Sequence, residues 1–403
     1  MNLNRREFLG SAATTAAATT VVPDFDKVRA DFPRARKAAY FDNASCHPLS
    51  VHSAAAIHRY IDWETNEVGE PWWPLWADAR EESKALFAKL INADPAEISF
   101  CRSTIEAESN LLNGMRIEEG GGNVVTNDLH YSAAIYNYKI RQKAGLDVRF
   151  VKHRGWQIDL RDMAKVIDGK TKLVAIALVS NVNGYLHDVK AISEVAHARG
   201  AYVYADVIQC AGAIPIDVRA MGIDMAACST YKWLMGVKGF GFLYVRRDLQ
   251  GAVVKPTLLS GGVGFNYAPW VEHSKPDQPE ITFRPVTGPS QYEVSYPSYE
   301  GAVCALECLK YIHQLGVPNI RAHVRPLTDR LQKELPALGY PSITPKGNES
   351  PILAFVVKDP EATLKKLRAA NVHVAMRFGN KMRIAPSVYN NQQDVDRLLE
   401  ALS

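Results

Sequence analysis

A lysine and an aspartate set the chemistry open to this sequence. Asp206 closes the apolar run Val203-Tyr204-Ala205, and Lys232 follows Ser229-Thr230-Tyr231 and precedes the glycine-rich run Gly236 to Gly241. An acid that ends an apolar run suits the carboxyl end of a buried strand, where α/β folds place their sites. A lysine amine aimed into that crevice is a nucleophile for a carbonyl, and a carboxylate beside it can hold a proton on a pyridine nitrogen. Pyridoxal 5'-phosphate needs that pair: Lys232 for the Schiff base and Asp206 as the pyridinium partner. Alone, each reads as well as a buried helix cap or a solvated surface lysine; their pairing and flanking residues favour the cofactor.

The elements around them are those of a parallel sheet. Strand-like runs at 98–101, 124–126, 148–151, 173–180, 203–206 and 242–245 alternate with helical stretches near 104, 133–144 and 189–199. Strand, helix, strand, helix predicts an α/β fold with a mostly parallel, doubly covered sheet. Ser103 with Glu106 three residues on is a capping-box pattern, so a helix starts there. The free N–H groups and positive dipole end at Thr104 and Ile105 make a candidate phosphate cradle. Gly120-Gly121-Gly122 lacks both a preceding strand and the dinucleotide-binding spacing, and reads as a turn. Further helices are expected over 24–39 (ended by Pro33), 50–65, 77–92, 298–315, 361–370 and 393–402, with strands at 352–357 and 372–376. Trp72, Trp73 and Trp76, broken by Pro71 and Pro74, are expected to lie in an irregular segment that packs at an interface or walls the substrate pocket.

Composition bounds the partners. The chain has 403 residues, enough for two or three domains, 22% charged residues and a net charge of +4. No basic run is interleaved with aromatics, so nucleic acid is not an expected partner. The six cysteines sit mostly in apolar contexts, without metal-ligand or disulfide spacing, so no metal is expected. At the N-terminus, Arg5-Arg6 followed by Phe8-Leu9 and a small-residue stretch to Ala18 resembles a twin-arginine export signal over residues 1–20. The stretch is too short and polar for stable membrane insertion. A periplasmic location is therefore expected, with the cytoplasm as the alternative.

Seven ordered blocks carry a family resemblance: 100–107, 128–132, 180–184, 204–212, 229–232, 292–299 and 382–390. Together the chain resembles the class V aminotransferases of the fold-type I pyridoxal-phosphate enzymes, the group that includes cysteine desulfurases and isopenicillin N epimerase-like proteins. The resemblance implies a large cofactor-binding domain (41–286), a smaller α+β domain (24–40 plus 287–403) and a homodimer. It implies that Lys232 and His130 are catalytic, with His130 also stacking on the cofactor ring. Asn181 and Gln209 would flank the ring oxygen. Thr104, Ile105 and Ser229 would bind phosphate, and Tyr231 would stand where many members have a histidine. Tyr296 would reach the phosphate of the neighbouring subunit, although members often have Gly-Thr there. Arg383 would hold the substrate carboxylate, with Arg377 next in line.

One departure shapes the expected activity. Desulfurases carry a catalytic cysteine shortly before the carboxylate-binding arginine, but the segment from Met376 to Arg383 contains none and no cysteine follows Cys308. A persulfide relay needs a mobile thiolate there. Only Cys46, in an N-terminal turn, is left near enough to consider. The expectation is an enzyme acting at Cα of an amino-acid or peptide substrate, an aminotransferase first. A carbon–sulfur β-elimination lyase or an epimerase, with Tyr231 or His130 as second acid, is the alternative. A non-catalytic binding protein is the reading from another class.

Overall fold

A computed structural model of the chain describes residues 22–66, 73–257, 286–293 and 297–403. The twin-arginine stretch, Trp72, the side chains of Trp73 and Trp76, and Tyr296 lie outside the described residues. The chain opens with helices α1 (Phe25–Ala30) and α2 (Arg34–Lys37) and the short strand β1 (Ala39–Tyr40). The first helix stops before Pro33, whose ring cannot continue it, and the basic connector expected after it forms α2 with Pro33 at its N-cap. Helices α3 (Val51–Asn66) and α4 (Trp73–Ile91) follow. The second starts within the tryptophan segment expected to be irregular: Pro74 falls in its first turn, where a missing N–H costs no intrahelical bond.

Next come β2 (Ile98–Cys101), α5 (Thr104–Gly114), β3 (Asn123–Asn127), α6 (Ser132–Lys143), β4 (Asp147–Val151), α7 (Leu160–Val166), β5 (Thr171–Ala177), α8 (Val189–His197), β6 (Tyr202–Asp206), β7 (Met225–Ser229) and β8 (Gly241–Val245). They form a seven-stranded sheet in the order β2-β8-β7-β6-β5-β3-β4. The pairs from β4 through β7 are parallel; β8 runs antiparallel to both β7 and β2. Alternation along each strand feeds two cores. Val125, Val174, Val203 and Ala226 face one, with Phe87 of α4 and Ile192 of α8. Val124, Leu173, Tyr204 and Met225 face the other, with Leu111 of α5 and Tyr138 of α6.

The C-terminal part comprises α9 (Tyr299–Leu315), α10 (Val317–Ala337), β9 (Leu353–Val356), α11 (Pro360–Ala369), β10 (Val372–His373), β11 (Ala375–Arg377), β12 (Lys381–Ile384) and α12 (Gln392–Leu402). The small lobe builds its own core from Leu327, Leu331, Phe355, Met382, Ile384 and Leu398, joined by Ala39 and Phe41. Helix α9, by contrast, buries Ala302, Cys304, Ala305 and Leu309 in the core of the large sheet. The strand expected over 372–376 is two strands on different partners: β10 pairs with β1, and β11 with β12. Arg29 of α1 grips Asp394 of α12 at 2.7 and 3.0 Å, tying the two ends of the described chain together. At the lobe boundary, Thr344 and Ser350 donate to the carbonyls of Asn183 and Gly184, both at 2.7 Å. Gly184 has φ +77°, and a Cβ there would lie 2.0 Å from the Ile352 carbonyl oxygen, so the close approach requires glycine.

Candidate active site

Segments just past β6 and β7 (Gln209, Tyr231, Lys232), the start of α6 and the hairpin of the small lobe line one cleft of about 400 Å³; Asp206, Thr104 and Ser229 lie outside its lining. A larger depression of about 860 Å³ lies at the amino ends of β3, β5 and β6, lined by Gly120 to Gly122 and Lys170, and brings together none of the predicted site residues. Asp206 is the last residue of β6 and 3% exposed; its Oδ1 accepts the Ile208 N–H at 2.9 Å. Burial raises its carboxyl to about 6, against the pull of that N–H and of Lys232. Lys232 lies in the turn between β7 and β8 and is 6% exposed. Its Nζ is 5.6 Å from the ring centroids of Tyr131 and Tyr231. Burial lowers its amine to about 8; Asp206 pulls it up and Arg383 pushes it down. Burial disfavours the charged form of each group, so both are nearer neutral than they would be in water.

Thr104 and Ser229 interlock beside them. The Thr104 N–H donates to Ser229 Oγ at 2.9 Å, the Ser229 N–H donates to Thr104 Oγ1 at 3.0 Å, and the two hydroxyls are 3.1 Å apart. The Ser103 side chain caps the Glu106 N–H, while the Glu106 carboxylate reaches the Arg102 N–H rather than that of Ser103. The expected reciprocal box is thus shifted by one residue. The Ile105 N–H, in the first helical turn, has no intrahelical acceptor and faces the positive end of the dipole. Gln209 is buried with its amide spoken for: Nε2 donates to the Ala44 carbonyl and Oε1 accepts from Trp233 Nε1, both at 3.0 Å.

The small lobe supplies Arg383. Met382 and Ile384 enter the small-lobe core, so strand alternation turns Arg383 to the other face, toward the cleft. Its cross-strand neighbours are Ala375 and Ala354, small enough to let it pass. Arg383 is 3% exposed. Its Nη1 donates to the Asn181 carbonyl at 2.8 Å and its Nη2 to Ser45 Oγ at 2.5 Å; Asp42 lies 3.5 Å away and Nε has no acceptor. Exposed Arg377 donates to the same Ser45 oxygen at 2.6 Å. Asn181 Oδ1 is buried without a partner on the cleft wall.

His130, like Asp206, Thr104 and Ser229, is buried and not among the residues lining the cleft. Its Nδ1 accepts the Tyr131 N–H at 2.7 Å, which places the proton on Nε2; Nε2 lies 3.7 Å from the buried Glu108 carboxyl and makes no hydrogen bond. Burial pushes its imidazole down to about 3, so it stays neutral. Its neighbour Tyr131 lines the cleft at the start of α6. Tyr231 also lines the cleft, and burial raises its phenol to about 12, so it stays protonated. Cys46 does not line it. The sequence reading missed Tyr131, Ser45 and Asp42; an aromatic at a helix N-cap just past a strand end was the available signal for the first.

These residues fit pyridoxal phosphate. The orphaned Asn181 Oδ1, the buried carboxyl of Asp206, the Lys232 amine brought down to about 8 and the paired hydroxyls at the α5 N-terminus suit an aromatic pyridine, an aldehyde and a phosphate. Among the described residues, no cluster could hold a metal ion and no helix is long and apolar enough to cross a membrane.

Residues 40–398 match the family model described as Aminotransferase class-V. A probable cysteine desulfurase of Methanothermobacter thermautotrophicus is 28% identical over 94% of this chain and 97% of its own. A cysteine desulfurase of Dickeya dadantii is 30% identical over 74% of this chain and 73% of its own. The apo structure of a cysteine desulfurase from Thermococcus onnurineus superposes with a TM-score of 0.82 at 25% identity, covering 95% of this chain and 98% of that one.

Proposed function

The chain belongs to the aminotransferase class-V family of pyridoxal-phosphate enzymes, and from that premise we propose that it is an aminotransferase acting at Cα of an amino acid, without persulfide chemistry. The observation that carries this is one cleft shared by the Lys232 amine and the buried Arg383 guanidinium, beside a hairpin that bears no thiol. Bound there, the cofactor supplies a carbonyl for an amine and a sink for the Cα electrons. Arg383 holds the substrate α-carboxylate through Nε and an Nη atom. Lys232 removes the Cα proton and carries it, its amine tuned close to working pH. Asp206 keeps a proton on the pyridine nitrogen. Thr104, Ile105 and Ser229 anchor the phosphate, His130 packs on the ring face, and Tyr131 lines the cleft beside it.

The test is mass spectrometry of an amino-acid panel incubated with holoenzyme in deuterated water, with and without keto-acid acceptors. Deuterium at Cα and a newly aminated acceptor are expected; no exchange with any amino acid would sink the proposal. The desulfurases among its relatives favour a second reading, β-elimination with the sulfur released to solvent. Release of ammonia and sulfide from cysteine without an aminated acceptor would select it. Arg5-Arg6 and Phe8-Leu9 support export of the folded, loaded enzyme to the periplasm. Replacing both arginines by lysine is expected to hold the protein in the cytoplasm, and undiminished periplasmic protein would refute this. A homodimer is proposed on the family's pattern, and a monomeric mass in sedimentation would refute it.

A further inference from the structure

Where the resembled desulfurases carry a thiol loop, this chain has a tight hairpin, and its tip holds an aromatic ring over the cleft. Arg377 and Lys381 are the last paired residues of β11 and β12, leaving Phe378, Gly379 and Asn380 to make the turn. Phe378 has φ +47° and Gly379 φ +80°. Glycine adopts that conformation at little cost, but a bulky side chain resists it. Burial does not compensate, since Phe378 is 55% exposed. A strained, solvated aromatic is retained against stability, as expected where a side chain meets a ligand. The same cleft is lined by Tyr131, Tyr231 and Met376, and no carboxylate is among its described lining residues. Its base holds Lys232, placed to move the Cα proton, and Arg383, which takes the carboxyl end of a substrate.

We propose that Phe378 is a specificity-determining residue that selects amino acids with an aromatic or large apolar side chain, which would lie between Phe378, Met376 and the tyrosine walls. This rests on the reading of the cleft as a site for Cα chemistry. Aromatic contact adds to apolar burial, so losing the ring should move discrimination by about an order of magnitude.

The experiment measures Cα deuterium exchange by holoenzyme with phenylalanine, leucine, alanine and aspartate. For the native enzyme, kcat/KM for phenylalanine or leucine is expected to exceed that for alanine by at least about tenfold. In Phe378→Gly the phenylalanine-to-alanine ratio is expected to fall about tenfold, mostly through KM, and Phe378→Tyr should restore it. The thermal midpoint of Phe378→Gly should not drop, because glycine suits φ +47°. A ratio that stays within about twofold overturns the inference while leaving the Cα reading intact. So does a preference for aspartate that Arg377→Ala abolishes, since that would assign the mouth to an anionic side chain. Absence of exchange with every amino acid overturns both.

Discussion

Replacing Arg383 by alanine should separate carboxylate recognition from cofactor binding. The guanidinium is buried, yet its carboxylate neighbour, Asp42, is 3.5 Å away, and its Nε lacks an acceptor. A substrate carboxylate would gain at least one charge-assisted hydrogen bond that the protein leaves unmade, worth about 1.5–3 kcal/mol. That corresponds to roughly 10- to 150-fold in affinity. The assay is titration of the bound-cofactor absorbance band with an amino acid and with its primary amide, which lacks the charge. Arg383→Ala should weaken the acid by that factor and leave the amide nearly alone. The resting band should persist, because Arg383 contacts Asn181 and Ser45 rather than Asp206. Removing a cation that pushes the Lys232 amine down should also shift that amine upward. If acid and amide respond within about threefold of each other, the carboxylate is not held there, and Arg377 becomes the residue to test.

Lys232→Ala should abolish the borohydride-reducible cofactor adduct; peptide mapping that finds the adduct on Lys238 would refute the assignment. Capture of pyridoxal phosphate by apoenzyme should rise with pH and level off above about 8, since only the neutral amine attacks and burial has brought its pKa down from 10.5. Stopped-flow rates that keep climbing to pH 10 would mean an unperturbed lysine, and Asp206→Asn should move the plateau to lower pH because the carboxylate holds the amine up. Gly184→Ala should cost more than about 1 kcal/mol in urea unfolding, since the added Cβ meets the Ile352 carbonyl at 2.0 Å. An unchanged midpoint would show that the lobe boundary can give.

Much of the large-lobe site was legible because it is local. Asp206 and Ser229 end strands and Thr104 begins a helix, and in a strand–helix chain those ends fall on one edge of the sheet. The order of apolar runs and caps therefore put Thr104 at a helix start and Asp206 at a strand end without any long-range contact being known. The same locality placed most helices and strands, though not α7, α10, β7 or β12. His130 and Tyr131 mark where spacing stops being informative: the residues are adjacent, yet Tyr131 lines the cleft while His130 is buried with its Nδ1 on the Tyr131 N–H. Arg383 marks a second limit. Its strand alternation could be read from Met382 and Ile384, but its role depends on reaching Ser45, 338 positions away, and the Asn181 carbonyl, 202 away. Sequence determined which chemical groups end each element; packing of the small lobe across Gly184 decided which of them share a cleft, because that is set by contacts between segments whose separation along the chain carries no period or spacing to read.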